Sequence, residues 1–214
     1  MRFRSGMLLT ALLSSSLVAQ QQAGTPAAMP ASIKSFTSKF FFTGSANGAS
    51  ISLENSNNSE NGGGVSLGLG YGFSPAFALY MEGSGSRMSS ETGNYGLGHF
   101  DIGMRYHFAN VARQWIPFVD AAFTGRAVAQ NDVTICDASN TCATNDLSMS
   151  GGGFTLGGGV MYYASPKLAI SGNFKWTTGN FTDVTFGNVT VSGLDQGATS
   201  TRLGVGMVWF PSAR

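Results

Sequence analysis

The chain has 214 residues, enough for one domain, and only 11% of them are charged, less than half of the ~25% usual in soluble domains. Gly supplies 30 residues, about twice its average share. The net charge of +1 offers no basic patch for nucleic acid, which needs clustered Lys and Arg, and no run approaches the ~20 apolar residues of a membrane-spanning helix.

Taken in order, Arg2 and Arg4 precede a short apolar run, Met7–Ala19. A basic region followed by a brief apolar one is the layout of a secretory signal peptide. Cleavage is expected between Ala19 and Gly24, so residues 1–23 read as the signal. Residues 24–36 hold Pro26 and Pro30 with no period and read as a disordered lead-in. Residues 37–214 form the single folded domain.

The first strand is expected at Lys39–Leu53, with Phe40, Phe42, Gly44 and Ala46 outward; Phe41 interrupts the alternation. Glu54–Gly62 reads as a solvated loop. The next stretch, 64–73, sets the pattern: Val65, Leu67, Leu69, Tyr71 and Phe73 alternate with Ser66, Gly68, Gly70 and Gly72. Successive side chains of a strand point to opposite faces, so one face is apolar and the other nearly bare. That suits a narrow closed barrel with lipid outside and little room inside. Ser74-Pro75 ends the strand, because Pro cannot donate to a ladder. Strand three, Phe77–Ser86, sends Phe77, Leu79 and Met81 outward, and Arg87–Gly93 reads as a loop. Strand four, Asn94–Phe108, has Phe100, Ile102, Met104, Tyr106 and Phe108 outward. Strand five, Trp115–Ala129, has Val119, Ala121 and Phe123 outward, with Ile116 and Phe118 out of pattern.

Asn131–Ser150 is the longest polar stretch. Strand six, Gly151–Ala164, has Phe154, Leu156, Val160 and Tyr162 outward. After Ser165-Pro166, strand seven places Leu168, Ile170, Phe174 and Trp176 outward. Strand eight ends at Phe210, with Leu203, Val205, Met207 and Trp209 outward. Two turns echo each other: Ser74-Pro75 and Ser165-Pro166 are each preceded by a Gly-apolar-polar-Leu-Gly run. Gly187-Asn188 between two β-branched runs signals a two-residue hairpin. Continued down the strands, that register pairs Ile170 with Val205 and Leu168 with Met207, and strands seven and eight run past the membrane as a ribbon.

A charge on a lipid face near the midplane costs ~2–4 kcal/mol. Glu82, Asp101, Arg105, Asp120, Arg126, Lys175 and Arg202 all fall on the inward parity. A soluble barrel with its apolar set inside would turn these seven charges outward. Aromatic residues beside the short turns, Phe73, Phe77, Tyr106, Phe108, Trp115, Tyr162, Tyr163, Trp209 and Phe210, predict an interfacial girdle.

Arg202-x-Gly204-x-x-Met207-x-Trp209 resembles the closing-strand sorting signal of bacterial outer-membrane barrels, with Phe210 following it. Gly103–Phe108 followed by Trp115–Val119 is similar to the fourth and fifth strands of the small OmpA, OmpX and opacity-protein barrels. The resemblance spans about residues 36–210. It implies an all-β, eight-stranded antiparallel closed transmembrane barrel in the outer membrane of a Gram-negative-type envelope. It also implies a monomer in contact with outer-membrane lipid and lipopolysaccharide, inserted by the barrel-assembly machinery, with a structural or surface-interaction role.

The inward charges balance as Glu82, Asp101 and Asp120 against Arg105, Arg126, Lys175 and Arg202. An eight-stranded interior is just wide enough for side chains, so they read as a salt-bridged plug; a narrow ion path is the alternative. His99 and His107 with Asp101 and nearby Ser allow a lipid-modifying site as a further alternative, but both histidines carry inward parity. Cys136 and Cys142, an isolated pair in an exported chain, are expected to form a disulfide. The Gly runs at 62–64, 151–153 and 157–159 precede no helix and are not phosphate cradles. No cofactor, metal site or catalytic residue is expected.

Overall fold

A computed structural model describes residues 37–54, 58–90, 93–108, 114–136 and 140–213; the expected signal peptide and lead-in lie outside them. Eight antiparallel strands follow one another: β1 (Lys39–Leu53), β2 (Ser59–Gly72), β3 (Phe77–Ser90), β4 (Gly93–His107), β5 (Trp115–Cys136), β6 (Cys142–Ser165), β7 (Leu168–Phe186) and β8 (Val189–Trp209). Each pairs with its neighbour, and β8 returns to β1 from Phe42–Trp209 to Leu53–Ala198, so the sheet is a closed barrel. Closure leaves no edge in the hydrocarbon, where an unpaired backbone group has no water to satisfy it.

The faces follow the alternation. Leu67 is 71% exposed and Phe123 79%, while Asp101 is fully buried. In a membrane protein this inversion is the expected one, because the outer face meets acyl chains. The lumen glycines are explained by space: a Cβ on Gly70 would run into the Phe41 ring, and one on Gly159 into Phe118. The three residues that break the sequence pattern, Phe41, Ile116 and Phe118, all point inward and are buried. So do Tyr163 and Phe210, which the sequence placed in the outer girdle. Phe210 lies just past β8 and packs on Phe41 at 5.8 Å and Tyr163 at 5.6 Å between ring centroids. Its amide still donates to the Lys167 carbonyl at 2.8 Å, so alternation after the outward Trp209 turns its ring into the barrel, where it closes that end.

The expected loops are shorter than composition suggests. Ser59–Gly62, Arg87–Ser90 and most of Asn131–Ser150 lie in strands. The turn at Gly187-Asn188 forms as expected, closing Phe186 on Val189. Farther down, the expected register is off by two. Ile170 faces Met207 and Leu168 faces Trp209, because an irregularity between Phe181 and Asp183 lets β8 take up extra residues. Gly193, with φ +86°, sits in that excess. A slip of two keeps every side chain on its own face, so the face assignment survives the register error.

Candidate functional site: a sealed lumen below a protruding sheet

Three layers fill the lumen. At the short-turn end Phe41, Tyr80, Ile116, Phe118, Met161, Tyr163 and Phe210 form an apolar cluster. At the other end Ile51, Met88, Leu97 and Phe181 form a second one. Between them lies an ionic layer.

Glu82 of β3 and Asp101 of β4 stand directly opposite each other in the ladder. Lys175 of β7 and Arg202 of β8 do the same on the far wall. Like charges side by side repel, so each pair is stable only against the other. Lys175 Nζ reaches Glu82 at 2.9 Å and Asp101 at 3.0 Å, and Arg202 Nη2 reaches Asp101 at 3.1 Å. The carboxylate of Asp101 also accepts a hydrogen bond from Thr124 at 2.8 Å. Thr124, Thr155 and Thr177 then continue around the wall at 2.5 and 2.6 Å, and Arg202 donates to Thr177 at 3.2 Å. Hydroxyls can both donate and accept, so this ladder carries the network from β4 through β5, β6 and β7 to β8. A second unit is separate: Arg105 binds Asp120 in bidentate fashion at 2.7 and 2.9 Å and lies 4.1 Å above the Phe118 ring.

Six of the seven charges singled out in the sequence are thus ion-paired. Arg126 differs. It donates to the carbonyls of Ala198 at 3.0 Å and Gly179 at 2.7 Å and stacks on Phe181 at 5.0 Å, with no carboxylate partner among the described residues. Carbonyl oxygens can replace a counter-ion for a guanidinium, whose five donors suit several acceptors. His99 is buried against Ser200 at 2.9 Å, and His107 packs beside Phe118. The two rings therefore sit in different layers of the lumen. The threonine ladder escaped sequence reading: inward parity at 124, 155 and 177 was visible, but their adjacency depends on the register of three strands.

Of the residues of the closing strand, Met207 and Trp209 face outward, Gly204 lies inward beside Asn173, and Phe210 enters the lumen. Cys136 and Cys142 are disulfide-bonded and directly paired across the tip of the β5–β6 ribbon.

Strands β5–β8 have 19 to 24 residues against 14 or 15 for β1–β4. At about 3.3 Å per residue the excess raises a four-stranded sheet above the long-loop rim, the extracellular side in this architecture. Near its tip, Thr182 at 2.7 Å and Ser192 donate hydrogen bonds to Asp183 and hold its carboxyl below the usual carboxylate range.

Residues 8–206 match the family model described as outer membrane protein beta-barrel domain. Among solved structures, the Neisserial surface protein A is 13% identical, with a TM-score of 0.57, 79% of this chain covered and 96% of that one. The outer membrane protein OprG of Pseudomonas aeruginosa is 9% identical, with a TM-score of 0.50 and coverage of 83% and 98%. At such identities the likeness concerns the fold alone. No curated protein sequence matches the chain.

Proposed function

Because the chain belongs to the outer-membrane β-barrel family, we propose that it is a non-enzymatic barrel whose role is structural and surface-interacting, exerted by the sheet that β5–β8 raise above the membrane. The observation that carries this is the free edge of β8. Pairing with β1 stops at Ala198, so among the described residues Val189–Gln196 are covered on the β7 side only. Phe186 and Val189 close a two-residue turn. In an antiparallel ladder the next residue turns its backbone groups the other way, which aims the N–H and C=O of Thr190 and Ser192 outward. Val189 and Val191 flank them and are exposed.

Natural edges are usually blunted by Pro, Lys or a bulge. The opposite flank follows that rule: β5 is irregular between Gln130 and Val133, with Asp132 at φ +55°. On β8 the irregularity begins only at Gly193; the four residues above it, Val189–Ser192, carry no Pro, Lys or bulge and can accept a partner strand. A pore reading loses support from the filled axis, where the Lys175 and Arg202 bridges cross the lumen. A lipid-modifying reading loses support from the histidines, both buried inside. Contact with lipopolysaccharide, delivery by the assembly machinery through the closing-strand residues Gly204, Met207, Trp209 and Phe210, and a monomeric state belong to the same proposal.

Thr190→Pro tests it, since that amide faces away from β7 and its loss spares the ribbon. Cells displaying the variant should adhere several-fold less to protein-coated surfaces. Heat-modifiable migration should stay normal, and the purified parent should be silent in planar bilayers. Undiminished adherence of the variant, or steady conductance by the parent, would overturn the proposal.

A further inference from the structure

Above the second apolar cluster the barrel mouth opens into a cup of about 280 Å³. Its apolar wall comes from Ile51, Val128, Leu147, Met149 and Phe181, and its polar side from Glu60 and Tyr95. Phe181 is also the floor. Arg126 stacks on its ring, so the cup is a dead end above the charged layer. At about 30 Å³ per water molecule the space equals about nine waters, just under the roughly 300 Å³ at which drug-sized sites begin. Only a small ligand fits.

Glu60 is half-buried, accepts the Tyr95 hydroxyl proton in a short hydrogen bond, and forms no ion pair with a described residue. A partly desolvated carboxylate with one neutral partner has uncompensated charge. The surroundings reinforce the sign. Glu54, Glu60, Asp132, Asp146, Asp183 and Asp195 occupy this end of the described chain, against Arg87, which faces outward, and Arg126, which lies beneath the Phe181 ring on the carbonyls of Gly179 and Ala198. Such a field concentrates cations and repels anions.

We propose that the cup binds a small organic cation, a primary amine with a compact aryl or alkyl body, its ammonium on Glu60 and its apolar part against Met149 and Phe181. An alcohol of the same shape keeps the apolar contact and loses the ion pair. A carboxylate meets repulsion.

The test uses the full mature chain in lipid nanodiscs with methyl-labelled methionine, titrated with phenethylammonium, 2-phenylethanol and 3-phenylpropionate. Met149 reports the cup, and Met207, on the lipid face, reports partition into the bilayer. The amine should give a saturable shift at Met149 alone, at least tenfold tighter than the alcohol, and the carboxylate none. Glu60→Gln should abolish the tenfold preference, and Tyr95→Phe should keep it. Equal affinity for amine and alcohol, Met207 shifts that track Met149, no saturable Met149 shift, or indifference to Glu60→Gln in a folded variant would each overturn the proposal. If Glu60→Gln does not fold, the ligand comparison on the parent and on Tyr95→Phe decides.

Discussion

Strand β5 passes through two environments, and its side chains behave differently in each. From Trp115 to Ala127 exposed and buried residues alternate without a break; from Asn131 to Cys136 almost every residue is exposed. The ladder to β6 nevertheless continues from Trp115–Tyr162 to Cys136–Cys142, with one irregularity near Gln130. Hydrogen bonding is thus shared by the two regions, and burial is not. Inside the bilayer the two faces of the sheet meet lipid and a packed axis, and a misplaced side chain is costly. Above it both faces meet water, and either kind of residue is tolerated.

If that contrast is right, the largest losses come from the axis. Asp101→Ala leaves Lys175 and Arg202 facing each other with only Glu82 as a counter-charge, and breaks the threonine ladder at its anchor. Removing one member of a buried ion pair costs about 3–5 kcal/mol. The variant should unfold at clearly lower urea in detergent, or fail to insert. Arg105→Ala is expected to follow, since it strips Asp120 of a bidentate partner and Phe118 of its stacked cation. Arg87→Ala, at an exposed position on the neighbouring strand β3, should stay within about 0.5 kcal/mol of the parent. Equal unfolding midpoints for Arg105→Ala and Arg87→Ala would erase the distinction between axis and outer face.

The same contrast explains what could be read from the sequence. Where one face is lipid, alternation is a message about faces, and the eight strands and the seven inward charges were legible from it. Where polar residues and glycine fill the outward positions, or both faces meet water, the message fades, so the strands in Ser59–Gly62, Arg87–Ser90 and most of Asn131–Ser150 passed for loops, although Met88 is buried in the lumen. Proximity to a turn does not say which face an aromatic residue takes. Tyr163 and Phe210 matched a girdle on that ground, yet each follows an outward residue, Tyr162 or Trp209, and its ring closes the lumen from inside. Neither can parity detect an irregularity that takes up two residues, which is why the β7–β8 register below Phe181 was displaced while the faces were not. Arg126 was expected in an ion pair because charge can be counted from sequence, whereas the carbonyls of Gly179 and Ala198 that receive it cannot.

The smallest expected effect falls at the far tip of the sheet. The Cys136–Cys142 link closes a loop with a sequence separation of 6, and chain-entropy reasoning assigns such a short loop about 2 kcal/mol of ordering. That ordering acts on a ribbon whose faces bury almost nothing, and regions of this kind open independently of a packed core. Replacing both cysteines by Ser should therefore leave the urea midpoint of the barrel within about 0.5 kcal/mol of the parent. Amide exchange should speed up around the paired residues Val133 and Asn145, beyond the irregularity of the ribbon, and remain unchanged around the pair Asp120 and Gly157 within the barrel. A midpoint shift as large as that of Arg105→Ala would mean that the ribbon and the barrel unfold as one unit, and that the water-exposed half of these strands supports the membrane-embedded half.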